Sequence, residues 1–236
     1  MPLTSAVGDP GPFLIIFLVV AVVIAVVVIA AIQGAKRRQA WQTLAMRLGC
    51  SYSADDPFGI DTSYPHSLFQ KGHSQCAYNV MSGRLKEREI MCFDYLYKET
   101  HGSGKNRHTT TYYHTCLLLA LPIRFQTLSI RPESFLDRVG EFFGLDDIDF
   151  ESDEFSRKFF VKCADKKFAY DVIHPRVMEL LLQCGKVHVE AVGDSILFYC
   201  TPTLRVPEEV EPLVQRGLQF VELIPDYLIE QAKGAI

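Results

Sequence analysis

The chain has 236 residues, 48 % hydrophobic and 22 % charged, which is enough apolar material for a folded core and excludes a wholly disordered protein. Its 24 Lys and Arg against 28 Asp and Glu leave a net charge of −4, so no basic footprint marks a nucleic-acid binder. Seven cysteines, odd in number and without a CxxC pair, fit a reducing compartment.

Residues 1–12 form a short N-terminus, followed by "FLIIFLVVAVVIAVVVIAAI" from Phe13 to Ile32, without a charge, Gly or Pro. As a helix this segment spans about 30 Å, the hydrocarbon thickness of a bilayer, and it reads as a single transmembrane helix. A signal peptide would carry a basic region before a shorter apolar run, but only Asp9 is charged there. The basic cluster lies after the span, at Lys36, Arg37 and Arg38, which places that flank in the cytoplasm and the N-terminus outside. The same cluster, with Arg47, suits weak attraction to anionic lipid.

Residues 33–50 read as a juxtamembrane helix, with Trp41, Leu44, Ala45 and Leu48 at helical spacing and Gly49 as its stop. Trp41, well past the span, is expected to pack on the domain. Residues 51–236 then form a cytosolic domain. It opens with a loop from Ser51 to Gln70, rich in Pro, Gly, Ser and Asp. Three strand-like stretches follow, "QCAYNVMSG", "REIMCFDYLY" and "TTTYYHTCLLLALP", the last two joined by a long hairpin loop. "FQTLSIRP" reads as a fourth strand, and Pro132 as the opening of a helix through "ESFLDRVGEFFG". "RKFFVKCADKKFAYDV" predicts a strand, a turn at residues 165–167 and an extended return. "HPRVMELLLQC" is a helix, "KVHVEAV" and "SILFYC" are paired about a turn at Gly193 and Asp194, and the C-terminal helical region is interrupted at Pro212 and Pro225. Cys163, Cys184 and Cys200 stand among apolar neighbours as core residues. The fold class is α+β, an N-terminal transmembrane helix followed by a cytosolic antiparallel sheet with packed helices.

"NVMSG", "CFDYLY", the hairpin tip, "LPIRFQTLSIRPE", "DIDFESDEFSRKFFV" and "FAYDVIHPRVMELL", in that order, resemble a widespread bacterial family of single-pass membrane-anchored proteins, classified only as a domain of unknown function. The resemblance covers roughly residues 68–200. It implies an anchor and a cytosolic domain, and brings no activity, cofactor or catalytic residue.

Four motifs invite chemistry. Asp147, Asp149, Glu151 and Asp153 fall on alternate positions, but a calcium loop starting at Asp147 wants Gly sixth and Glu twelfth, where Ser152 and Lys158 stand. Because Ile148, Phe150 and Phe155 intervene, the acids read as the solvated face of an extended segment and a possible interaction face. Arg157, Lys158, Lys162, Lys166 and Lys167 could pair with such acids from a second copy. "GSGKN" departs from a phosphate loop, with Glu99 for the first Gly and Asn106 for Ser or Thr, and it joins two strands. His108, Tyr112, His114 and Cys116 share one face of a strand, so His108, His114 and Cys116 are the candidate metal ligands, short of a complete set. "GDSI" at Gly193 and "DVIH" at Asp171 mimic serine-hydrolase blocks in reversed order.

The expected function is a non-catalytic binding or assembly module at the bilayer. Its partners are lipid together with a protein or a second copy, without nucleic acid, catalytic residue or cofactor. The alternative is a membrane-tethered metal-dependent enzyme.

Overall fold

The computed structural model describes residues 11–133, 148, 150–200 and 206–234. The chain divides into two units, residues 1–40 and 41–236.

Helix α1, Gly11–Leu48, supplies the first unit and enters the second. No Gly or Pro interrupts its apolar part, and its most apolar stretch reaches a mean hydropathy of 3.2, long and apolar enough to cross a membrane. Residues 16–32 are all exposed, an apolar surface that water does not tolerate. The transmembrane and juxtamembrane helices expected as separate elements are thus one helix. It ends at Gly49, whose φ of 68° is the left-handed conformation that closes helices.

In the second unit, Trp41, Leu44 and Ala45 of α1 are buried. The segment expected as a loop then forms β1, Ser51–Asp55, and a four-residue helix α2, Ile60–Ser63, followed by a 3-10 turn at Ser67–Gln70. Asp56 organises this turn by accepting from the Phe58 and Ile60 amides at 2.9 and 2.6 Å. Strands β2, His73–Leu85, and β3, Arg88–His101, meet in a tight hairpin whose central Lys86 and Glu87 have φ of 47° and 61°. Strand β4, His108–Pro132, absorbs both the third and the fourth expected strands.

Next come α3, Asp153–Lys158; β5, Phe159–Cys163; α4, Lys166–Val172; α5, Pro175–Cys184; and β6, Val187–Cys200. Helices α6, Pro207–Glu222, and α7, Asp226–Gly234, complete the described chain. The extended return expected at "FAYDV" is α4, because Asp165 caps it, accepting from the Lys167 and Phe168 amides at 2.9 and 3.2 Å. Helix α6 passes through Pro212, where the ring removes one hydrogen bond early in the helix, while Pro225 separates α6 from α7 as expected. The helix expected after Pro132 lies outside the described residues.

Among the described residues the strands make one six-stranded antiparallel sheet in the order β1-β2-β3-β4-β5, with β6 also paired to β4. The fold is α+β. On one face lies the main core, where Leu117, Leu119, Ile130, Val161, Val189 and Phe198 meet the end of α1 and helices α5 to α7. On the other, Phe93, Tyr95, Cys116, Leu118, Leu197 and Tyr199 are covered by Ile60, Leu68 and Phe69.

The hairpin expected at Gly193 is instead a bulge in the continuous β6. Val187, Val189 and Ala191 face the main core before Gly193, and Ile196 and Phe198 after it, so the period of two slips by one residue. Gly193, at φ 61°, takes the extra residue without reversing the chain. Asn79 (φ 52°) does the same in β2, where Ala77 and Val80 both face the second core.

Candidate functional site

Among the described residues two buried polar networks and a surface groove draw attention as candidate sites. In the first network Asp94 of β3 is fully buried, in the middle of "CFDYLY". Its carboxylate accepts from Trp41 Nε1 at 3.1 Å, Asn79 Nδ2 at 2.8 Å and Thr115 Oγ1 at 3.3 Å, and Asn79 Oδ1 accepts from the Tyr52 hydroxyl at 2.9 Å. A buried charge needs such partners, and here they tie the end of α1 to three strands.

The second network joins residues far apart in sequence. His66 Nε2 lies 3.0 Å from Ser195 Oγ, and His66 Nδ1 lies 3.8 Å from Glu190 Oε2. Both Glu190 oxygens accept from the Ser67 amide at 3.0 Å, and Oε2 also from Ser67 Oγ at 3.0 Å. The residue types match a Ser-His-Glu triad, but the one hydrogen of Ser195 Oγ has two acceptors in reach, His66 Nε2 at 3.0 Å and the Val192 carbonyl at 3.2 Å, and His66 Nδ1 has no hydrogen-bonding partner. Burial pushes the His66 imidazole down to about 4 and Glu190 above the usual carboxylate range, so the pair is not an ion pair at neutral pH. Ser195 is 1 % and His66 0 % exposed, which leaves a substrate no approach.

The residues expected to bind metal are set apart by the strand that carries them. His108 is exposed at the hairpin tip, its ring 5.6 Å from that of His101, and six residues of strand put it about 20 Å from His114. His114 is buried, donates Nδ1–H to the Cys200 carbonyl at 2.9 Å and stacks on Tyr97 at 5.6 Å. Cys116 is fully buried, and its thiol is pushed well up by desolvation, with the neighbouring Cys92, Cys200 and Asp94 adding to it. Among the described residues no three His, Cys, Asp or Glu side chains are grouped to hold a metal ion.

The hydrolase-like blocks also separate. Asp171 bonds Lys167 at 3.2 Å, His174 donates to the Leu223 carbonyl at 2.9 Å, and Ser195 bonds His66. "GSGKN" is an exposed 3-10 turn between two strands, without a helix to aim amides at a phosphate.

Of the acidic stretch, Asp147 and Asp149 lie outside the described residues, while Glu151 and Asp153 are exposed. The segment is not extended throughout, because Ser152 Oγ caps α3, accepting from the Phe155 amide at 3.3 Å, and Asp153 is the first residue of that helix. A helix starting there occupies what would be the second half of a calcium loop. Lys158 pairs with Glu154 at 2.7 Å and Lys167 with Asp171, so two of the bases offered to a second copy are already paired in their own chain. Lys36 and Arg38 are exposed on α1, and Arg47 pairs with Glu211 of α6.

Glu151 leads instead to a groove of about 770 Å³ at α4 and α5, lined by Phe150, Tyr170, Ile173, Pro175, Met178 and Leu182, with Glu151, Ser152, His174 and Glu179 completing its wall. Phe150 is held edge-on to Phe155 and Tyr170 at 5.3 and 5.2 Å. Sequence reasoning missed this groove, and it missed the second network because His66 and Ser195 are 129 residues apart. The buried acid in "CFDYLY" is the one local signal that announced a network.

Such an α+β domain, one antiparallel sheet with helices on one face and a short covering segment on the other, has a counterpart among solved structures. The chain is similar in fold to the crystal structure of the mycobacterial trehalose monomycolate transport factor A, TtfA, with 12 % identity and a TM-score of 0.55 over 81 % of this chain and 96 % of that one. No protein-family profile matches the chain, and no curated protein matches it.

Proposed function

We propose that the chain is a single-pass membrane protein whose domain faces the cytoplasm and acts as a non-catalytic binding or assembly module. The exposed apolar surface of α1 carries this reading, because only lipid or another apolar helix covers such a surface favourably. Lys36, Arg37 and Arg38 after the apolar stretch support a cytoplasmic domain through the positive-inside rule. The protein of similar fold is described as a transport factor. The roughly 20 Å of strand between His108 and His114 weighs against the metal-dependent alternative.

The test is purification of the full chain from its native membrane in mild detergent, with proteins and metals quantified in the same sample. A partner or a defined oligomer at fixed stoichiometry is expected. A monomer carrying close to one equivalent of metal would overturn the proposal.

A further inference from the structure

We infer that the groove at α4 and α5 receives a helical segment of another protein, apolar on one face and basic along its flanks. This rests on the binding-module reading and names the chemistry of the partner.

Pro175, Met178 and Leu182 of α5 stand at i, i+3 and i+7, one stripe about 10 Å long, the length of two helical turns. Phe150, Tyr170 and Ile173 face that stripe across the groove. Ile173 is fully buried and Met178 and Phe150 are nearly so, a packed floor, while Tyr170 is 47 % exposed as a large apolar ring at the rim. An occupant with apolar side chains at i, i+3 or i+4, and i+7 fits such a floor, as amphipathic helices do in apolar grooves, and Met adapts its shape to them.

Charge fixes the sign of the partner. The charged side chains lining the groove are Glu151 and Glu179, both exposed, and no Lys or Arg joins them among the described residues. Beside the lining, exposed Asp153 and exposed Arg176 offset one another, and His174 has its Nε2–H committed to the Leu223 carbonyl, so the two glutamates of the lining set the sign. A basic flank is therefore favoured and an acidic one repelled. The mixed cleft of about 440 Å³ on the opposite face of the sheet, lined by Phe58, Tyr64, Met91 and Ala120 but by both Arg84 and Glu89, has no such preference.

The experiment uses the full chain in nanodiscs of phosphatidylcholine, a lipid without net charge. The probe is a two-turn-stripe Leu/Lys helical peptide with a photoreactive benzophenone on its apolar face. Its controls are the Leu/Glu counterpart and a scrambled Leu/Lys peptide. Cross-links are mapped by mass spectrometry. The expected result is saturable cross-linking of the Leu/Lys helix to residues 170–182, lost with the Leu/Glu helix, and with a half-saturation concentration raised about tenfold by Glu151→Lys with Glu179→Lys. Both substituted positions are exposed, so the variant is expected to fold, and circular dichroism checks it. Cross-links elsewhere, equal labelling by both helices, equal labelling of the variant, or capture of an uncharged hydrophobic dye in preference to the peptide would each overturn the inference. A dimer of the full chain in detergent by analytical ultracentrifugation, dissociated by Glu151→Lys with Glu179→Lys and unlabelled by the peptide, would overturn it in favour of a second copy. A native partner found at fixed stoichiometry without peptide labelling leaves the module reading standing and sinks this one alone.

Discussion

Trp41 is the most informative single position, because it is the chain's only Trp, fully buried, and bonded to the carboxylate of Asp94 at 3.1 Å. Trp41→Phe keeps a ring in place and removes the N–H, while the bonds from Asn79 and Thr115 to Asp94 remain. A lost hydrogen bond to a buried charge costs about 1.5–3 kcal/mol. Trp41→Ala adds a large cavity in the main core, for a total of about 3–5 kcal/mol. In a domain of this length each kcal/mol lowers the melting temperature by about 2–4 °C, so Trp41→Ala should melt roughly 6–20 °C below the wild type and Trp41→Phe between the two. Circular dichroism of the full chain in detergent reads all three proteins, and wild-type fluorescence should be blue-shifted when folded and move to the red on unfolding. If Trp41→Ala melts within about 1 °C of wild type, Trp41 does not belong to the core, and α1 is not tied to the sheet through Asp94.

Four further outcomes are expected. Burial holds His66 at about 4 and His188 at about 3 in the folded state, so between pH 6.5 and 4 the unfolded chain binds protons that the folded chain does not. Stability should therefore fall as pH drops through that window, by up to about 1.4 kcal/mol per pH unit per group, partly offset by Glu190, whose raised carboxyl acts in the opposite sense. Urea midpoints from pH 7 to 5 measure this, and a flat profile refutes it. Under native conditions a maleimide should label exposed Cys76 well before Cys92 and Cys116, whose thiols are buried and pushed up; equal rates would contradict the packing. Glu87→Gly relieves a left-handed backbone at φ 61° and should stabilise by about 1 kcal/mol in denaturant titration. Gly217→Ala should destabilise by about 1–3 kcal/mol, since its Cβ would meet Leu117 Cδ2 at 2.4 Å, and a neutral result would mean α6 does not press on β4 there.

Elements whose residues agree with their surroundings were readable. The apolar run predicted α1, aromatic and β-branched runs predicted β2 and β3, and the Pro175 start with a 3.6 period predicted α5. What escaped depends on distant contacts or on left-handed residues without the usual signature. The β2–β3 turn uses Lys86 and Glu87 where Asn-Gly is the recognisable pair. Gly193-Asp194 looks like a turn, and becomes a bulge because β4 continues alongside, pairing Phe125 with Gly193 and Leu128 with Ala191. Residues 51–55 are too polar to read as a strand, and β2 supplies their pairing partner. At the candidate sites, the period of two grouped His108, His114 and Cys116, but period alone hid the length of strand between His108 and the other two.

The bulges at Asn79 and Gly193 connect these failures to the architecture. Each shifts a strand by one residue, so the side chains beyond it change faces. In β6 that shift turns Ser195 toward the same face as Glu190, although the two are five residues apart and would otherwise point oppositely. The second polar network exists only because of this change of parity, with His66 brought between them by the covering segment. Asn79 carries the same economy further, since the residue that makes the bulge also donates to Asp94. Removing the donor while keeping the shape, with Asn79→Asp, would set two carboxyl groups together in a buried space, and should destabilise the domain more than Asn79→Gly, which keeps the left-handed backbone and loses only the hydrogen bonds. If the two variants unfold at the same denaturant concentration, Asn79 serves the backbone alone and the Asp94 network does not depend on it.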